Sequence, residues 1–221
     1  MDKEINNGFI RVNKVKLEPY GMFQKEDSYT WIDDNNWFLT IMEFMISYEE
    51  KKFFLNTGLN FLWYSKKLFT FDFLKEGISI TYENKDDFSS IHKLADIARN
   101  KAIYYRKFRD ISFAKEEILK TKYNVWKFNY FKLMMCFLCE DFDLGKKYFN
   151  LFSDNVGLNN EVNLFIDEQK NIFNSLINDN NKIKKFVHSN VLNNIKEQRL
   201  FYKENFINKL TLQNDLINLL N

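Results

Sequence analysis

The spacing of apolar positions changes once along the chain. Between Tyr29 and Tyr82 they alternate with polar ones or gather in short aromatic runs, and after Asp87 they recur at helical spacing. Tyr29-Thr30-Trp31-Ile32 favours a strand, Asp33 to Asn36 a polar turn, and Trp37 to Ser47 a long strand, which together predict a hairpin. Phe53 to Tyr64, Leu68 to Phe73 and Gly77 to Tyr82 predict three more strands. Five strands within about 60 residues, joined by short loops, make an antiparallel sheet that buries at least one face. Ahead of them, Ile5, Phe9 and Val12 stand at helical spacing, although Gly8 weakens a helix and leaves a strand open. Pro19 and Gly21 stop whatever precedes them.

In the second part, Ile91, Leu94, Ala95, Ala98, Ala102, Tyr105 and Phe108 form one stripe, predicting a helix over 87–110 that covers a sheet face. Phe113 to Thr121 predicts a short helix and Val125 to Cys139 a nearly buried one. Leu144 to Phe152 pairs with the latter across Asp141-Phe142-Asp143 as a helical hairpin. Helices follow over 160–177 and 182–220, the last broken near 204–210. The hairpin resembles one tetratricopeptide-type unit, but no second copy follows, and a solenoid needs at least three. The expected class is α+β: an N-terminal antiparallel sheet of about five strands covered by a helix, then an all-α C-terminal half. The expected division is a sheet domain over 1–121 and a helical region over 122–221.

Composition narrows the function classes. The 24 Phe, 11 Tyr and 4 Trp supply too much apolar area for a disordered chain. No apolar run approaches the roughly 20 residues of a membrane span. The opening MDKEINNGF lacks an apolar core and a cleavage site, so no secretory signal is expected there. Two Cys do not make a disulfide framework, and a reducing, cytoplasmic setting is the expectation. The net charge of +2 comes from 27 Lys and only 5 Arg, spread among acids rather than clustered, which argues against a specific nucleic-acid partner. The 29 Asn, with abundant Lys, Ile and Phe, reflect AT-rich codons more simply than a function.

Candidate chemistry is sparse. Cys136 and Cys139 form a C-x-x-C, but zinc needs two more ligands, and His92 and His188 stand isolated. A redox pair sits at a helix N-terminus, whereas these lie beside Met134 and Met135 in an apolar helix, so they read as core residues. Neither His has a nucleophile in a recognisable setting, and FLNTG at 54–58 lacks the Lys and second Gly of a phosphate loop. The pairs Asp33-Asp34, Glu49-Glu50 and Asp86-Asp87 fall at turns, and their spacing does not favour a two-carboxylate glycosidase. No catalytic residue, metal or cofactor is expected.

One charge pattern stands out. Glu26, Asp27, Asp33, Asp34, Glu43, Glu49 and Glu50 follow one another with no Lys or Arg between them. Such a segment suits docking to a basic protein surface, while its bland reading is solvated turn charge. Trp31, Trp37, Trp63 and Tyr64 read as core before interface.

Leu17-Glu18-Pro19-Tyr20-Gly21-Met22-Phe23-Gln24-Lys25, then Tyr29-Thr30-Trp31, Phe38 to Phe44 and Leu55-Asn56-Thr57-Gly58 resemble a bacterial domain-of-unknown-function family, the 4304 type. Met22 interrupts that family's Gly-Phe, and Met45-Ile46 replace its polar residues after the third strand. The resemblance implies a bacterial α+β domain without assigned catalysis, of a kind associated with immunity-type proteins of toxin systems. The leading expectation is a non-enzymatic cytoplasmic protein-binding protein, with an immunity-type protein that neutralises a toxin partner as its specific form. The alternatives are a small-molecule binder or enzyme with a pocket between the sheet and helix 87–110, and a helical scaffold subunit.

Overall fold

A computed structural model describes residues 3–26, 28–64, 68–83, 88–157 and 159–210. The chain divides into two compact units, the first up to Arg106 and again from Asn193, the second spanning Lys107–Leu192.

The first unit is built on a five-stranded antiparallel sheet in simple sequence order, so the chain is α+β. Its strands are β1 (Phe23–Gln24), β2 (Thr30–Asp34), β3 (Phe38–Ser47), β4 (Lys52–Phe61) and β5 (Phe73–Thr81). Register and pleat sort the side chains. Trp31, Met42 and Thr57 are cross-strand neighbours on one face, as are Asp33, Thr40 and Leu59. Asp34, Leu39 and Asn60 share the opposite face, as do Thr30, Glu43 and Asn56. Helices α1 (Lys3–Leu17) and α2 (Phe88–Tyr105) cover the first face. Phe9 of α1 meets Phe53 and Phe44 edge-on at ring separations of 4.9 and 5.9 Å. The α2 stripe Ile91, Leu94, Ala95, Ala98, Ala102 and Tyr105 is buried, and the Tyr105 hydroxyl lies 3.0 Å from that of Thr57. The spacing of Ile5, Phe9 and Val12 is thus that of a helix, and Gly21 beyond it takes the left-handed conformation (φ 79°) that ends the turn around Pro19.

One expected strand is absent. Residues 68–72 run outside the sheet, and the strand that pairs with β4 begins at Phe73. Apart from one backbone bond, from the Asp72 amide to the Leu59 carbonyl (2.7 Å), side chains hold this segment where a ladder would otherwise do so. The Leu68 carbonyl accepts from the Tyr202 hydroxyl (2.8 Å), the Thr70 carbonyl from Asn60 (2.7 Å), and the Asp72 carboxylate from the Phe61 amide (2.8 Å). The fifth strand is instead β1, too short to show a period.

The second unit is helical: α3 (Ile111–Leu119), α4 (Trp126–Leu138), α5 (Phe142–Ser153), α6 (Asn160–Leu176) and the first half of α7 (Asn180–Asn205). Asp110, Asp141 and Asn159 cap α3, α5 and α6 through their side chains. α4 and α5 form the expected hairpin, turned at Glu140 (φ 58°). Their approach needs Gly145, because a Cβ there would run into the Phe137 ring. The boundary between units falls inside α7. The part of residues 182–220 beyond Leu210 lies outside the described residues.

Candidate functional site

Three of the seven acids, Asp33, Asp34 and Glu43, lie on the β2–β3 hairpin, and the residues of the segment meet different fates. Asp33 and Asp34 are consecutive, so the pleat sends them to opposite faces of the sheet. On the helix-covered face Asp33 is 3% exposed, and Arg106 grips it with two bonds, Nε to Oδ2 at 2.8 Å and Nη2 to Oδ1 at 2.9 Å. Arg106 also donates to the Tyr20 carbonyl, and its bond to Asp33 raises its own already high pKa. On the other face Arg199 of α7, 1% exposed, grips Asp34 through Nη1 to Oδ2 (2.8 Å) and Nη2 to Oδ1 (2.6 Å). Arg199 also donates from Nε (3.2 Å) and Nη2 (2.6 Å) to the Asn36 carbonyl. Paired guanidinium donors on a carboxylate match in plane and spacing, which makes these strong, directional contacts. The fully buried Asn35 completes the turn, donating to the Asp33 carbonyl and the Thr40 hydroxyl at 3.1 Å each.

The remaining acids are placed differently. Glu43 is half-buried on the second face and accepts from Asn56 at 3.1 Å. Glu49 and Glu50 are exposed at the β3–β4 turn, where Lys52 pairs with Glu50 at 3.0 Å and Lys51 also faces solvent. Glu26 is exposed with φ 46°, and Asp27 lies outside the described residues. The seven acids therefore do not form one surface.

The C-terminal part of α7 covers only one end of the second face. There Arg199 holds Asp34, Tyr202 meets Asn60 (3.4 Å) and Asn194 donates to the Trp63 carbonyl (3.0 Å). Towards the β3–β4 turn the same face carries Glu43, Met45, Phe54 and Asn56. Met45 is 49% exposed and Tyr48, at the turn, 42%. Trp31, Trp37 and Trp63 are core residues.

Other candidates resolve into structure. The layer between the sheet and α2 is occupied by the buried α2 stripe, and burial pushes the Tyr105 hydroxyl up to about 12. Cys136 is buried in α4 and its thiol is pushed up to about 12 by that burial, while Cys139 donates to the Ile111 carbonyl. Lys132 is 7% exposed, and burial lowers its pKa. Its Nζ satisfies the Thr121 carbonyl just beyond α3 at 2.6 Å and lies over the Tyr148 ring. Among the described residues no three His, Cys, Asp or Glu side chains are grouped to hold a metal ion, and no helix is long and apolar enough to cross a membrane. No protein-family model, curated protein or solved structure matches the chain.

Arg106 and Arg199 were not among the residues singled out in the sequence, yet they decide what the hairpin acids do. Arg199 did carry a signal. It stands at helical spacing from Val191 and Ile195, on the apolar stripe of its helix, where a charge needs a buried partner.

Proposed function

We propose that the chain is a non-enzymatic protein-binding protein that docks a basic protein surface on the end of the sheet's second face that α7 leaves uncovered. The observation that carries this reading is the grouping of Glu43 with the exposed Met45 and the half-buried Phe54 where α7 leaves the sheet uncovered. Apolar and aromatic side chains beside a carboxylate suit an interface in which burial supplies affinity and charge steers approach. Glu49 and Glu50 at the adjoining turn add to the field, partly offset by Lys51 and Lys52. An immunity-type role in the cytoplasm, occluding a basic toxin, is the biological form this takes. Asp33 and Asp34 act inside the unit and stay out of the interface.

The test is affinity capture of partners by the tagged full chain, followed by association kinetics with the captured protein. The variant Glu43→Lys/Glu49→Lys should slow association, and the deficit should shrink as salt rises. Association unchanged by that variant and by Met45→Asp would overturn the reading.

A further inference from the structure

A different surface of the same unit is the outer edge of β5. β5 ends the sheet, and among the described residues no strand pairs with its outer side. The amide of Tyr82 donates inward to the Lys51 carbonyl at 3.0 Å, so alternation turns the backbone groups of Ile80, Ile78 and Glu76 inward too. Those of Thr81, Ser79, Gly77 and Lys75 point outward, and all four residues are exposed. Among the described residues this is an unpaired hydrogen-bonding edge of strand length, the feature that proteins usually pair, cover or blunt.

We propose that this edge pairs with the β5 edge of a second copy of the chain, antiparallel and centred on Ser79, in an isologous dimer. The order of residues along the strand selects both occupant and register. With Ser79 opposite its own copy, Gly77 faces Thr81, Ile78 faces Ile80, and at both ends Lys75 lies across from the exposed Glu83, at the bend just beyond β5. The half-buried Ile78 and Ile80 then meet on the face shared with α2, as a β-branched cross-strand pair. Slipping the pairing so that Glu76 faces its own copy sets like charges opposite and loses the Lys75–Glu83 contacts. Lys75 alone would repel an arbitrary strand edge; opposite Glu83 it favours this one. At the other end, the irregularity between Thr57 and Leu59 and the left-handed Leu74 (φ 51°) confine regular pairing to the residues after it.

Sedimentation velocity of the full chain over a concentration series tests this. The wild type should show a concentration-dependent monomer–dimer equilibrium. Lys75→Glu should weaken it about tenfold, since two symmetry-related attractions become repulsions, and Lys75→Glu/Glu83→Lys should restore it. Ser79→Pro should abolish the dimer while leaving the unfolding midpoint nearly unchanged, because the amide it removes points outward. A wild type monomeric throughout, or a dimer indifferent to Lys75→Glu, overturns the proposal. If Ser79→Pro fails to fold, the loss and rescue across the charge-swap pair still decide it. The proposed interface on the second face would be untouched by these outcomes, as it is read out with Glu43 variants.

Discussion

The two ends of the β2–β3 hairpin carry the same residue types to opposite purposes. At the closed end Asp33 and Asp34 are gripped from either side of the sheet by Arg106 and Arg199, and their charge serves the fold. At the other end Glu43, Glu49 and Glu50 have an amide, a solvated turn and an exposed Lys for company, and their charge remains on the surface. The difference lies in what reaches them. A buried guanidinium has lost its water, so removing its carboxylate leaves an uncompensated charge, whereas an exposed Glu gives up little when its neighbour is lost.

The contrast is broken most severely at Arg199. Asp34→Ala should destabilise the first unit by about 3–5 kcal/mol in urea unfolding, because the 1% exposed guanidinium would be stranded. Asp33→Ala should cost less, about 1.5–3 kcal/mol, since Arg106 is 28% exposed and retains the Tyr20 carbonyl. A pH series probes outside the hairpin. Burial, with Lys184 nearby, holds the His188 imidazole below its ordinary 6.5, against a weaker pull from Glu140. The unfolded chain therefore takes up that proton first, and stability should be full above 6.5 and fall as pH drops towards the lowered value. His188→Gln should flatten that part of the profile. The smallest effect belongs to the open end: Glu43→Lys should shift stability by no more than about 0.5 kcal/mol, its consequence appearing in association rate instead.

Much of this architecture could be read along the chain because it depends on local period. Ile41, Glu43 and Met45 alternate against Met42, Phe44 and Ile46, and the β3 register follows that alternation. The stripe from Ile91 to Tyr105 likewise marks the buried side of α2. The failures are contacts between distant residues. LFTFDF at 68–73 has a strand's alternation, but its carbonyls are claimed by Asn60 and by Tyr202, a residue far along the chain, and no local rule reveals that. Asp33 and Asp34 read as turn acids for the same reason, since Arg106 and Arg199 lie 73 and 165 positions from them. For Arg199 a charge on an apolar helical stripe announced a missing partner without saying which.

The most direct test of this division is a double-mutant cycle on Asp34 and Arg199, using Asp34→Ala, Arg199→Met and their combination, read by urea unfolding. A coupling of about 2 kcal/mol or more, with the double variant more stable than Asp34→Ala alone, is the predicted result. Additive losses with no coupling would mean that Asp34 does not serve the fold through Arg199, and would return it to the surface acids.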